Sequence, residues 1–261
     1  MRSPPETIYV AGEPLLEDFT LFVLVGFAAQ IIDGSIGMAY GLTATTVLLS
    51  LGYPPATASA STHAAEVFTT AISGVTHWRF GNVDLSILWK LALPGMIGGA
   101  LGAYLLTEAD GDRVRPLINC YLAVMSLWIL GRALGKAAAS IAIPRWIGLL
   151  GCGGGALDAM GGGGWGPMVT STLLGHGNAP RYTIGSVSAA EFFVTATISA
   201  TFVATIGLEL WPVIGGLIVG GAIAAPFAAY LTRKIPNQAL MIIVGIVILL
   251  LSLRGLLQAF G

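Results

Sequence analysis

The chain has 261 residues, 55% of them hydrophobic and only 10% charged, with a mean hydropathy of +0.83. Soluble domains carry about 25% charged residues, so this composition argues against a soluble globular protein and for a polytopic membrane protein. A formal net charge of −1 leaves no basic footprint for nucleic acid.

The first eighteen residues, MRSPPETIYVAGEPLLED, hold one Arg and four acids ahead of any apolar run. A secretory leader needs a basic start, an apolar core and a small-residue cleavage site, so residues 1–15 read as a retained tail. From Phe19 the chain reads as helical pieces at 19–33, 38–52, 55–79, 84–107 and 113–134, then at 145–158, 165–175, 180–206, 210–232 and 237–259. The last three of each set reach roughly 20 residues, enough for a hydrocarbon core of about 30 Å. The first two are shorter and meet at glycine-rich breaks, 34–41 and 159–166. Cys120 and Cys152 lie far apart in apolar segments with neither zinc spacing nor a disulfide framework, and read as small buried residues.

A shift of 125 residues superposes the two sets. Asp33 falls on Asp158, Gly37 on Gly162, Gly41 on Gly166, Pro55 on Pro180, Ser61 on Ser186 and Glu66 on Glu191. In all, 16 of the 46 positions from 26 to 71 are identical. Abundant alanine and glycine explain some matches, but not two acids in register with glycines and a proline. The chain divides into a first repeat at 16–134, a basic linker at 135–144 and a second repeat at 145–261. Such repeats typify secondary transporters, with the substrate site at the repeat interface.

Each broken pair is either one interrupted crossing or a hairpin that returns to its starting side. The hairpin collects Arg79, Arg132, Lys136, Arg145, Arg181, Arg233 and Lys234 on one side, against Arg2, Arg113 and Arg115, with Arg254 near the last helix end. The interrupted crossing divides the loop cations evenly. The positive-inside rule therefore selects the hairpin. Both termini are then non-cytoplasmic, and the repeats are inverted. The expected fold is an all-α polytopic membrane protein of two inverted five-helix repeats, each opening with a glycine-broken helical hairpin.

An acid followed by a glycine-rich break (IIDGSIGMAYG and ALDAMGGGGWGP) precedes LLSLGYPPATASASTHAAEVF and then GVTHWRFGNVDLSILWKLALPGMIGGALGAYL. In this order and repetition the chain resembles the sulfite exporter TauE/SafE family of membrane transporters over nearly its whole length. The resemblance implies transport of a small sulfur-containing anion, sulfite-like or an organosulfonate, across the cytoplasmic membrane. Met38 and Tyr40 stand where that family commonly has small residues, which implies a tighter or more aromatic pocket.

Non-helical backbone at membrane depth survives only inside protein or beside a wet cavity. Helices restart after the breaks near Met38 and Trp165, and helix N-termini offer N–H groups to anions. Gly34, Gly37, Gly41, Gly161, Gly162, Gly163 and Gly164 thus either let an oxyanion approach the backbone or only permit close helix packing. No Lys-Ser/Thr follows, so the run is no P-loop. Asp33 and Asp158 either carry a coupling proton or cap the following turn. His63 and Glu66 share a helix face, whereas the second repeat has Ser188 and Glu191; His63 is a proton-relay candidate. H-x-x-E supplies two ligands and no nearby Cys or second His completes a metal site, so neither metal nor cofactor is expected. Ser59, Ser61, Thr62, Ser186 and Ser188 are donors for oxyanion oxygens or interhelical bonds. Tyr40 and Trp165 occupy matched positions and either line the pocket or pack. Arg79 reads as a topology anchor and Lys90 as a snorkelling cation; either attracts anions to the cytoplasmic mouth. His77 falls at the same helix end, and His176 reads as a loop residue.

The expected function is a secondary transporter of a small sulfur anion, proton-coupled, working by alternating access. The partners are the anion and the lipid bilayer. An anion channel using the same site is the alternative; an intramembrane enzyme lacks a nucleophile or complete metal set.

Overall fold

The computed structural model describes residues 15–36, 38–134, 144–175, 180–207, 210–231 and 237–260. These are helical apart from short turns. In chain order they form α1 (Leu15–Ile36), α2 (Tyr40–Ser50), α3 (Pro55–Arg79), α4 (Leu85–Glu108) and α5 (Gly111–Leu134). Then follow α6 (Ile147–Gly161), a π-helical segment (Trp165–Thr170) running into α7 (Ser171–Gly175), α8 (Pro180–Thr205), α9 (Trp211–Leu231) and α10 (Asn237–Phe260). His176, Lys136 and Gly37, together with the tail to residue 14, lie outside the described residues.

The ends follow local chemistry. Pro55 opens α3 at its first turn, where a missing N–H is harmless. Asp84 caps α4, its Oδ1 accepting from Ser86 N at 2.8 Å and Ile87 N at 3.2 Å. Gly162, with φ +70°, closes α6 as its N–H donates to the Asp158 carbonyl at 2.7 Å.

Three expectations need correction. Cys120 is exposed and Cys152 only part-buried, so neither is the buried residue expected from its apolar segment. Helix α1 begins before Phe19 and persists to Ile36, so Gly34 sits in its last turn and not in a break. The second helix restarts as a π-helix, since Pro167 brings no N–H to an α-helical ladder. The second break thus narrows to three residues, 162–164, and at the first Met38 and Ala39 are the described residues between α1 and α2.

Four helices among the described residues are long and apolar enough to cross a membrane: Leu85–Glu108, Gly111–Leu134, Tyr182–Thr205 and Met241–Ala259. Exposure is inverted relative to a soluble protein. Leu24, Ile97, Leu101, Leu149 and Leu257 face outward, while Ser59, Thr62, His63, Glu66, Asp158 and Thr195 are buried. Hydrocarbon outside and polar groups inside is the arrangement a bilayer selects.

Helix α2 doubles back along α1. Tyr53, just after α2, meets Phe22 near the start of α1, ring centroids 6.0 Å apart. In the second half, Gly154 of α6 leaves room only for Val169 and Trp165 of the returning segment. Helix α1 packs along α9 and α6 along α4, while α3 pairs with α8 and α5 with α10. Small residues set the closest approaches: Gly26 of α1 lies on the backbone of Leu217, and Gly151 of α6 on that of Leu91.

Candidate functional site

The two breaks cross at the centre of the helix bundle, backbone against backbone. A Cβ on Gly41 would overlap the carbonyl of Gly162, and one on Gly163 the backbone of Leu42. One on Gly166 would reach Met38 Cβ at 2.7 Å. Gly162 is hemmed in by Thr45, whose Oγ1 donates to Thr62 Oγ1 at 3.0 Å. Gly161 and Gly164 face Tyr121 of α5, the hydroxyl oxygen lying 2.8 Å from a Cβ on Gly164. In this conformation packing accounts for all of these glycines, and the tips touch without a gap between them.

The break acids reach across their own tips. Asp33 Oδ1 accepts from Tyr40 N at 3.4 Å. Asp158 Oδ1 accepts from Gly164 N at 2.7 Å and Trp165 N at 3.1 Å. The helix N-termini expected to face an anion are thus engaged by the protein's own carboxylates. The second oxygen of Asp158 is committed elsewhere, standing 3.3 Å from Nε2 of fully buried His63 on α3.

The protons around His63 follow from its partners. Nδ1 lies 2.9 Å from the Ser59 carbonyl, which can only accept, so Nδ1 carries a hydrogen. Ser59 Oγ, 3.2 Å from the same nitrogen, spends its own hydrogen on the Ala159 carbonyl. Nε2 of a neutral His63 is then a bare acceptor facing a carboxylate oxygen. Two acceptors at that separation require something electropositive between them: a proton on one partner, or a cation.

Glu66, one turn along α3, adds a third acceptor. Its Oε2 is buried without a hydrogen-bond partner. One donor atom each from His63, Glu66 and Asp158 lie within 4.8 Å of one another. Glu191 of α8 and Asp33 also sit close enough for their charges to act on Glu66, as does Asp158. Four carboxylates and one imidazole converge here, and the charges acting on Glu66 and Glu191 are all carboxylate. The sequence spacing offered two metal ligands, His63 and Glu66; the fold supplies a third from the other half of the chain.

Other expected residues are used differently. Tyr40 Oη donates to the Leu217 carbonyl at 3.2 Å and Trp165 Nε1 to the Val187 carbonyl at 3.2 Å. Both aromatic rings are fully buried packing elements. Ser186 Oγ accepts from Asp84 N at 2.8 Å, joining α8 to the α3–α4 turn away from the tips. Ser61 is buried on α3, and Ser188 lies part-buried on α8 where Gly74 of α3 approaches it. Tyr121 escaped notice in the sequence: its buried hydroxyl has no partner and points at the second tip. A tyrosine inside an apolar segment is the only signal it gave. Lys90 joins Arg145 and Trp89 around a cavity of about 500 Å³ where α4 meets the start of α6.

Comparison with known proteins places the chain among membrane transporters. A family model, Sulfite exporter TauE/SafE, matches residues 22–255. A protein of Bacillus subtilis (strain 168), "Probable membrane transporter protein YtnM", is 41% identical over 257 residues, covering 93% of this chain and 84% of the relative. No solved structure matches the chain.

Proposed function

The chain belongs to the sulfite exporter TauE/SafE family and is a multi-pass membrane transporter, and from that premise we propose that it moves a small sulfur-containing anion by proton-coupled alternating access. The observation that carries the reading is the acid pocket at the crossed tips, where His63 of one half meets Asp158 of the other.

The mechanism follows from charge. An anion cannot settle beside four ionised carboxylates in a low-dielectric interior. Protons on those acids lower the repulsion, so anion binding and proton uptake are linked, each strengthening the other. Anion affinity therefore rises as pH falls. The groups facing this centre are Asp33 from α1, Tyr40 from α2, His63 and Glu66 from α3, Tyr121 from α5, Asp158 from α6 and Glu191 from α8. The anion reaches backbone N–H groups of Gly161–Gly164 and of the first tip, and hydroxyls such as Thr62, when the tips separate. Lys90 and Arg145 gather anions at the cytoplasmic mouth. The touching tips favour a carrier over an open channel.

The same reading makes 16–134 and 145–261 inverted repeats, joined by the linker at 135–144, in the cytoplasmic membrane with both termini outside. The return of Tyr53 to Phe22 supports it, because a hairpin gives each half an odd net number of crossings. The reciprocal packing of α1 on α9 and α6 on α4 supports it as well.

The test is sulfite flux into proteoliposomes under an imposed pH gradient. Asp158→Asn keeps an oxygen for the Gly164 and Trp165 N–H groups and an amide donor for His63 Nε2, yet carries no titrating charge. The expected result is flux that no longer responds to the gradient. Unchanged pH-driven flux would remove Asp158 from coupling, and no flux of any sulfur anion by the wild type would remove the substrate class.

A further inference from the structure

We infer that the His63–Glu66–Asp158 cluster is also a binding site for one divalent transition-metal ion of the Zn²⁺ class. It goes beyond the reading of the acid pocket as the coupling centre and gives that pocket a second occupant.

Three independent features point to a metal. The first is donor geometry. Zinc bonds to imidazole nitrogen and carboxylate oxygen run about 2.0–2.2 Å, so two ligands of a tetrahedral ion stand about 3.3 Å apart. His63 Nε2 and Asp158 Oδ2 are 3.3 Å apart, and a Glu66 oxygen completes a triangle within 4.8 Å.

The second is the outer support. A metal-bound histidine characteristically donates its other N–H to a carbonyl or carboxylate, which fixes tautomer and ring orientation. His63 does this through Nδ1 to the Ser59 carbonyl at 2.9 Å. Asp158 is held in the same manner, Oδ1 by the Gly164 and Trp165 N–H groups, which leaves Oδ2 as a single directed ligand. His63 Nε2 and Asp158 Oδ2 are therefore held facing each other before any ion arrives.

The third is an unpartnered buried acceptor. Glu66 is 5% exposed, and its Oε2 has no hydrogen-bond partner. The surrounding charges are the carboxylates of Asp33 and Glu191. A dication satisfies that oxygen and offsets the accumulated negative charge in one step. Three protein ligands leave a fourth tetrahedral position for water or an anion. The mixed nitrogen and oxygen donor set suits Zn²⁺ or Co²⁺ better than Ca²⁺ or Mg²⁺, which favour oxygen alone.

The experiment is equilibrium dialysis of the purified full-length protein in detergent against Zn²⁺ alone, with bound metal measured by atomic emission. Co²⁺ substitution reports coordination through its visible absorption. The expected result is one Zn²⁺ per chain, a raised melting temperature and an intense low-symmetry Co²⁺ band. His63→Gln should lose the band and at least 10-fold in affinity. Glu66→Gln, which removes a charge without changing size, should lose affinity in the same direction and covers the case in which the histidine variant does not fold. No retained Zn²⁺ in the wild type, or equal retention by both folded variants, would overturn the site. No substrate or gradient enters this measurement. A negative result therefore leaves anion transport standing, and failed anion flux leaves metal binding standing.

Discussion

The two hairpin tips share a plan and differ in how firmly they are held. Each carries an acid one turn before its break, and each acid reaches the N–H seven residues on. At the first tip Asp33 is part-buried and, among the described residues, accepts one hydrogen bond, from Tyr40 N at 3.4 Å. At the second, Asp158 is buried and holds two N–H groups at 2.7 and 3.1 Å plus the His63 imidazole. The second tip is thereby tied through α3 to the opposite half. The first is held chiefly by packing, and it contains Ala39 at φ +92°, the one described non-glycine residue with positive φ. Equal sequence positions thus yield an acid anchored by several bonds at the second tip and, among the described contacts, an acid with one long bond at the first.

The contact between tips gives the largest expected effect. A Cβ on Gly41 meets backbone rather than a movable side chain, so Gly41→Ala must force the tips apart. Overpacking of this kind costs about 3 kcal/mol, read as a large fall in melting temperature or loss of folded protein in detergent. Gly131, with nothing within 4 Å of its Cβ position, is the control. Gly131→Ala should gain up to about 1 kcal/mol from helix propensity. A Gly41→Ala protein that melts like the wild type would mean the tips do not touch.

Removing each acid tests the asymmetry itself. Asp158→Ala strands two buried N–H groups and an imidazole, a loss of about 3 kcal/mol. Asp33→Ala removes one long bond from a part-buried group, a loss of about 1 kcal/mol. Thermal denaturation of the two variants side by side gives the ratio, and equal losses would erase the distinction between the tips.

Much of this was readable from residue order alone. The helical pieces from α3 onward follow from apolar run lengths and from Pro55, Asp84 and Pro180, because helix starts and stops are local. The pairing of the breaks followed from the 125-residue register. What escaped is tertiary. Nothing in H-x-x-E announces that its third donor comes from Asp158, and nothing marks Tyr121 as aimed at the second tip. The glycines were ambiguous for the same reason: open backbone and tight packing require the same residue, and only the opposing chain decides. Gly41 against Gly162 favours packing in this conformation. Break lengths were overestimated because Gly34 and Gly161 remain helical, glycine weakening a helix by only about 1 kcal/mol.

The smallest expected effect probes the backbone of the first tip. Left-handed backbone costs a residue with a Cβ roughly 1–2 kcal/mol, which Ala39→Gly relieves. Against that stand the lost burial of a methyl, about 0.8 kcal/mol, and the extra chain entropy of glycine, roughly 0.5–1 kcal/mol. The variant should therefore stay within about 1 kcal/mol of the wild type. Ala44 supplies the comparison, being fully buried in the regular part of α2. Ala44→Gly incurs both penalties with no strain to relieve, a loss of about 2 kcal/mol. The difference between the two melting temperatures isolates the strain at Ala39, free of burial and propensity. Equal losses at both positions would place Ala39 in ordinary backbone, and the long Asp33 bond alone would then set the first tip apart from the second.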